Sequence, residues 1–320
     1  MGLLIDGVWT QDIAGATGKT GAFVRSGSGV RNWVTRDGAA GPTGTGGFMA
    51  EPGRYHLYVS LACPWAHRTL IMRALKGLEA SIGLSVVHWL MRENGWTFAD
   101  GPGVVPDPVL GARFLHELYT RSDPGFSGRV TVPVLWDKRT GRMVSNESAD
   151  IIRMLNAAFD EAGAEPGDYY PADLRDEIDA VNGRVYETLN NGVYRAGFAT
   201  TQAAYEEAVG PLFETLDWLE DRLRGRTHLC GDGLTEADIR LFTTLIRFDA
   251  VYHGHFKCNL RRIVDYPDLS RYLANLYNNP RIHPTIDMMH IKHHYYESHR
   301  HINPTGVVPV GPAQIVTSTG

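Results

Sequence analysis

Cys63-Pro64-Trp65-Ala66 is the stretch of this chain best equipped for chemistry. A cysteine attacks as its thiolate, so its surroundings decide what it can do. Upstream, Tyr55 to Ser60 is rich in β-branched and aromatic residues and reads as a short strand. Leu61 and Ala62 turn the chain. Pro64 suits the first position of a helix, where its missing N–H costs nothing. Leu70, Ile71, Ala74 and Leu75 then recur at helical spacing. Cys63 therefore falls at the N-cap, with unpaired N–H groups and the positive end of the helix dipole aimed at its sulfur. Both favour the thiolate, so the arrangement predicts a thiol pKa below the usual range. The fourth residue is Ala66, not a second cysteine. With no resolving thiol one turn on, a mixed disulfide formed at Cys63 must wait for an outside thiol. A cysteine that merely caps a helix or packs as a small hydrophobe is the bland alternative. It fits a strand-to-helix turn beside proline poorly.

The elements that must position this cysteine read as one α/β domain. After the first strand and helix, Leu84 to Trp89 is a second strand. An irregular segment, about residues 90–130, holds Trp96 and Phe98. Val130 to Trp136 is a third strand interrupted by Pro133, Asp137 to Gly141 a turn, and Arg142 to Val144 a fourth strand. Asn146-Glu147-Ser148 opens a helix running to about Leu155. This order is the thioredoxin layout. A proline inside a strand is either an edge or bulge residue or a cis proline. The cis form exposes the Val132 backbone to pair with an extended thiol ligand. The upstream cysteine favours cis. Glu147 and Ser148 are ordinary first-turn residues. They also suit the amino-acid end of a ligand, Glu147 meeting an ammonium while the Ser148 hydroxyl and helix N–H groups meet a carboxylate. Arg129 and Trp96 could complete such a site; alone, Trp96 reads as a packing residue.

The remainder is organised differently. At 320 residues the chain suggests about two domains, and with 43% hydrophobic residues it can bury sizeable cores. A net charge of -5 argues against nucleic acid or an anionic membrane as main partner. Cys63, Cys230 and Cys258 are too few and scattered for a disulfide framework and fit a reduced, cytoplasmic setting. The first residues lack a signal-peptide pattern, and no apolar run is long enough to span a bilayer. Residues 1–50 hold 12 of the 35 glycines and read as an extended arm anchored by Trp9, Phe23, Val30, Trp33 and Val34, loosest from Gly41 to Gly47. Residues 51–160 form the thioredoxin-like domain, followed by a linker at 157–170. An all-helical domain spans 170–290, with helices expected at Ala172–Asn190, Thr201–Arg224, Glu236–Tyr252, Leu269–Asn278 and near His283–His290. Thr235-Glu-Ala-Asp238 is a capping box. Asn190 to Phe198 is expected to be a loop exposing Tyr194. Residues 291–320 form a C-terminal extension. Six of the 13 histidines lie between His283 and His301. His290 and His294 have the i, i+4 spacing of a zinc site, but no glutamate follows His290 as in H-E-x-x-H. A polar aromatic tail folded over a site is preferred, with no metal.

At this point the motifs carry a resemblance. Tyr55-His-Leu-Tyr-Val-Ser, Ala62-Cys-Pro-Trp-Ala-His-Arg-Thr, Asn146-Glu-Ser, Asn190-Asn-Gly-Val-Tyr-Arg-Ala-Gly-Phe-Ala-Thr-Thr, Thr235-Glu-Ala-Asp, His255-Phe-Lys-Cys-Asn and His290-Ile-Lys through Ile302-Asn-Pro are similar to the glutathionyl-hydroquinone reductases, the xi class of glutathione transferases. The match runs from about residue 50 to 312. The resemblance implies a thioredoxin-like domain followed by an all-α domain, a homodimer, and glutathione as co-substrate. It implies Cys63 as nucleophile, and Trp96, Arg129, Val130, Thr131, Val132, Glu147 and Ser148 as glutathione contacts, the last two at its γ-glutamyl end. Tyr194 becomes the proton donor, and Tyr252 and Tyr295 hydrogen-bond the thiolate; the sequence does not rank Tyr295 over Tyr296. The implied reaction is attack of Cys63 on the sulfur of a glutathionyl-hydroquinone, followed by resolution with a second glutathione. Two rivals share parts of the pattern. An omega-type monothiol thioltransferase or dehydroascorbate reductase needs the cysteine but not the tyrosines. A non-catalytic glutathione-binding protein has no use for an activated thiolate.

Overall fold

The computed structural model describes residues 2–11, 17–18, 20–25, 27–314 and 316; expectations for the arm at 1, 12–16, 19 and 26, and for the tail at 315 and 317–320, lie outside the described residues. The chain forms two compact units. The first comprises Met1–Gly15, Ser26–Asp168 and Thr285–His294, and the second Ala16–Arg25, Tyr169–Pro284 and Tyr295–Gly320.

The first unit opens with a hairpin, β1 (Gly2–Ile5) and β2 (Val8–Gln11). Asp6 and Gly7 turn it with φ of 47° and 77°, the two positive values a tight twisted hairpin requires and the reason for Asp-Gly here. The central strand β3 (Tyr55–Val59) is followed by α1 (Pro64–Leu75), β4 (Ile82–Val86), α2 (Leu115–Ser122), β5 (Gly128–Arg129), β6 (Val134–Asp137), β7 (Arg142–Ser145) and α3 (Ser148–Ala157). The main sheet has the order β4-β3-β6-β7; β3 runs parallel to β4 and antiparallel to β6. Every residue of β3 is buried, which is why it shows no polar alternation. Leu57, Val59, Ile71, Trp136, Ile151 and Leu155 are wholly inaccessible and form the core that α1 and α3 share with the sheet. Helix α1 stops at Lys76 and Gly77, with Leu78 N–H on Arg73 O at 2.9 Å. Gly77 takes the left-handed φ of 60° that this closure needs.

Four expectations shift. The second strand lies at Ile82–Val86 rather than Leu84–Trp89. Val87 N–H still reaches Val59 O at 2.9 Å, but β3 ends there and gives His88 and Trp89 no ladder to join. The third strand is Val134–Asp137 only. The Val132–Pro133 bond is cis, and Pro133 donates nothing to a ladder; upstream, Gly128–Arg129 pairs instead with β1. The segment expected to be irregular contains α2, whose buried Leu115, Leu118 and Tyr119 have i, i+3, i+4 spacing. The glycine-rich run Gly41–Gly47 is tied down: Thr45 N–H meets Asn32 Oδ1 at 2.9 Å, Thr43 Oγ1 meets Arg31 O at 2.6 Å, and Gly47 N–H meets Gly38 O at 2.8 Å.

The second unit is helical. It contains α4 (Arg175–Val185), α5 (Gly192–Gly197), α6 (Gln202–Arg222), α7 (Glu236–Arg247) and α8 (Pro267–Tyr277). The final helix, α9 (Met288–Ser298), has His294 in the first unit and Tyr295 in the second. The short helix expected near His283–His290 is a 3-10 turn, His283–Thr285, ahead of α9. The capping box is present: Asp238 Oδ2 accepts from Thr235 N–H at 2.8 Å. Two helices expected to be uniform each end in one wide turn, Tyr186–Asn190 after α4 and Phe248–Tyr252 after α7. There Asn191 N–H reaches Tyr186 O at 3.0 Å and His253 N–H reaches Phe248 O at 2.8 Å. Each such bond takes in one extra residue and rotates the residues beyond it by about 100° relative to an unbroken helix. The expected loop 190–198 is α5, with Tyr194 half-buried rather than exposed. Among the described residues no helix is long and apolar enough to cross a membrane.

Candidate active site

Cys63 is the N-cap of α1 with Pro64 at the first helical position, as its sequence neighbours require. Cys63 N–H rests on Ser60 O at 3.2 Å and its carbonyl accepts from His67 N–H at 3.0 Å, so the backbone fixes where the thiol points. That thiol is half-buried and donates to Val132 O at 3.7 Å, beside the cis Val132–Pro133 bond. Ala66 is wholly buried where a resolving cysteine would stand. The other two cysteines are buried, and burial pushes the Cys230 thiol up to about 11 and the Cys258 thiol higher still. Of the three thiols, Cys63 is the half-buried one.

The remaining residues expected at a glutathione site also belong to the first unit. Trp96 is buried and stacks on His294 at 4.8 Å and 24°. His294 Nδ1 lies 2.7 Å from Trp89 O, which sets the ring's orientation. Arg129 belongs to β5, opposite Leu3. At Thr131 the backbone is engaged within the chain: Tyr119 Oη donates to Thr131 O at 2.8 Å and accepts from Thr131 N–H at 3.1 Å. Asn146 Nδ2 donates to the same hydroxyl at 3.2 Å. Tyr119 and Asn146 thus brace Val130–Val132, with Val132 the residue beside the sulfur. Glu147 caps α3 by accepting from Ala149 N–H at 3.1 Å, and its other oxygen accepts from Ser28 Oγ at 2.8 Å. Ser148 comes next, buried in the first turn.

In the second unit three tyrosines join. Tyr295 Oη lies 2.6 Å from Tyr194 Oη and 3.0 Å from Tyr252 Oη. Tyr296 instead points to Ala250 O at 3.4 Å, so Tyr295 is the member of the hydroxyl chain that sequence could not select. Burial pushes Tyr252 and Tyr295 well above the ordinary tyrosine range, and charge on Tyr194 pushes both further. Burial thus favours the neutral hydroxyl on both. Tyr194 is the less buried end of this chain of hydroxyls. Phe256 stacks on Tyr252 at 5.5 Å and 10°, and Phe198 and Phe23 pack around the Tyr194 ring. The Arg25 guanidinium sits 4.9 Å from the Tyr194 ring centre, held by Nε on Asn191 Oδ1 at 2.7 Å.

Sequence reading missed Tyr119, Ser28, Arg25 and the stacking role of His294. Tyr119 carried a signal, the helical spacing of Leu115 and Leu118; Ser28 and Arg25 carried none. Buried histidines of the C-terminal stretch and of the second unit make structural contacts. His290 Nε2 lies 2.7 Å from Pro102 O, and His255 and His299 meet at 3.3 Å. Among the described residues no group of three His, Cys, Asp or Glu is placed to hold a metal.

Comparison with known proteins agrees with this layout. The family "Glutathione S-transferase, N-terminal domain" matches residues 62–158, and "Glutathione S-transferase, C-terminal domain" matches 202–275. The glutathionyl-hydroquinone reductase PcpF of Sphingobium chlorophenolicum is 62% identical over 98% of this chain and 97% of its own length. The glutathione-bound structure of YqjG from Escherichia coli K-12 superposes with a TM-score of 0.91 at 57% identity, covering 98% of this chain and 96% of that one. The glutathione-S-transferase Xi from Phanerochaete chrysosporium superposes at 0.89 with 52% identity, covering 94% and 96%. The chain belongs to the glutathione S-transferase family, in its xi class.

Proposed function

We propose that this protein is a glutathionyl-hydroquinone reductase working through Cys63. The thiolate attacks the sulfur of glutathione where it is bonded to the hydroquinone ring. A sulfur–sulfur bond forms, the carbon–sulfur bond breaks, and its electron pair goes to the ring carbon. Tyr194 supplies the proton that carbon takes up, with Tyr252 and Tyr295 as neutral donors that stabilise developing negative charge, including that of the Cys63 thiolate. Free hydroquinone leaves. A second glutathione thiolate then attacks the Cys63–glutathione disulfide, releasing glutathione disulfide and restoring Cys63. Glutathione is bound by Trp96, Arg129, the Val130–Val132 segment and Glu147–Ser148.

The observation that carries this reading is Cys63 at a helix N-cap with its thiol 3.7 Å from Val132 O and Ala66 one turn on. This combination supports attack on sulfur and resolution from outside the chain. The names of the relatives supply the substrate class. The protein acts as a cytoplasmic homodimer; sedimentation of the purified chain tests the assembly. The decisive experiment mixes protein, glutathione and a glutathionyl-hydroquinone and weighs the products. Equal amounts of hydroquinone and glutathione disulfide are expected, with Cys63 carrying a glutathione adduct when the second glutathione is withheld. An unmodified Cys63 alongside product formation would sink the mechanism.

A further inference from the structure

The N-terminal arm touches each of the three segments assigned to glutathione. Strand β1 pairs with β5, Leu3 opposite Arg129 and Leu4 opposite Gly128, and Leu4 is wholly buried. Asp6 and Gly7 continue the contact: Asp6 N–H meets Ser127 Oγ at 2.8 Å and Gly7 N–H meets Phe126 O at 3.0 Å. On β2, Trp9 Nε1 donates to Glu93 O at 2.9 Å and its ring stacks on His116 at 4.8 Å and 18°. That indole lies so close to Gly95 (φ 68°), the residue before Trp96, that an added Cβ there would stand 2.8 Å from it. Further along, Val30 and Asn146 exchange two hydrogen bonds of 3.1 Å, N–H to Oδ1 and O to N–H. Arg31 grips Asp150 of α3 through two bonds of 2.7 and 2.8 Å. Ser28 Oγ donates to Glu147 Oε2 at 2.8 Å.

We propose that the arm is a positioning element of the glutathione site, with Ser28 holding the Glu147 carboxylate ready for the ligand's ammonium. This rests on the assignment of Glu147 to glutathione made above. A carboxylate offers about four acceptor positions. Ala149 N–H and Ser28 Oγ take one on each oxygen and fix the side chain in one rotamer, with acceptor capacity left for an ammonium. The ordering cost of the side chain is met on folding rather than on binding. Trp9 does the same for the turn that presents Trp96, and β1 for the strand that presents Arg129.

The test measures glutathione dissociation constants by calorimetry and steady-state rates on full-length protein. Ser28→Ala should weaken glutathione binding about 3- to 10-fold, the worth of one hydrogen bond, while kcat at saturating glutathione stays within about two-fold, as a positioning role requires. Ser28→Thr, which keeps the hydroxyl, should restore binding. Glu147→Gln should weaken binding by itself, and Ser28→Ala added to it should cost nothing more, since the two act through one contact. Trp9→Ala should weaken binding independently. If Glu147→Gln weakens binding but Ser28→Ala and Trp9→Ala do not, the arm has no such role. If Glu147→Gln binds glutathione as the parent does, the assignment of Glu147 itself fails, and the role of Ser28 with it.

Discussion

Two side chains divide the proposed chemistry, and each can be removed without disturbing its surroundings. Cys63→Ser replaces sulfur by oxygen at an N-cap that serine also favours. Serine is not ionised near neutral pH and forms no mixed disulfide. The variant should bind glutathione and lose reductase turnover; near-normal turnover would remove Cys63 as nucleophile. Tyr194→Phe keeps the ring beneath Arg25 and among the phenylalanines, and deletes only the hydroxyl bonded to Tyr295. Release of hydroquinone needs a proton on carbon, so it should fall by a factor of about 100 to 10,000. Reduction of a plain glutathione mixed disulfide has a sulfur leaving group and should be largely kept. Both rates are measured on one preparation. Equal losses would make Tyr194 a residue of binding or architecture, and no loss in either would favour the omega-type thioltransferase reading.

Elements bring these residues to their places by local irregularity more than by regular structure. Tyr252 ends one wide helical turn and Tyr194 lies just past the other. Each extra residue rotates the side chains beyond it, and such turns recur at functional sites. Helix α3 is the counterpart in the first unit. Its N-terminus carries Glu147 and Ser148, and its inner face buries Ile151, Ile152 and Leu155 against the core shared with α1. Ile151→Ala leaves a cavity in this core and should cost about 2–5 kcal/mol. In urea unfolding the midpoint should fall with the slope unchanged. A loss well under 1 kcal/mol would mean that α3 is not anchored through this residue.

Across the whole molecule, buried histidines make stability depend on acid. His56, on the central strand with Nε2 2.8 Å from Ser85 Oγ, is pushed down to about 4 by burial, partly opposed by Asp107. Partial burial lowers His116 as well. A histidine titrates near 6.5 when unfolded. Between about 6.5 and 4 the unfolded chain therefore binds more protons than the folded one, and stability falls as pH falls through that window. His56→Gln, which retains a partner for Ser85, should show a shallower decline of the unfolding midpoint between pH 7 and 5. An unchanged slope would place the acid sensitivity elsewhere.

Sequence by itself determined what depends on neighbours along the chain. The N-cap place of Cys63, the helix after Pro64, the capping box at Thr235 and the start of α3 come from local hydrogen-bonding and backbone geometry that a few residues specify. Pro133 by itself fitted an edge, a bulge or a cis bond equally, and only the cysteine motif upstream favoured cis, the form the bond takes. Tertiary structure decided what joins distant residues. The hydroxyls of Tyr194 and Tyr295 meet across 101 positions and those of Tyr252 and Tyr295 across 43. The choice of Tyr295 over Tyr296 rests on which face of α9 is turned inward, and either residue fits the helix locally. The two-residue strand at Gly128–Arg129 went unforeseen because its ladder partner lies at the N-terminus, Leu3 opposite Arg129 across 126 positions. Ser28 reached Glu147 across 119 positions with no periodicity to announce it. A hydrogen bond between groups far apart in the chain leaves no pattern in the sequence, because the chain closes that distance only by folding.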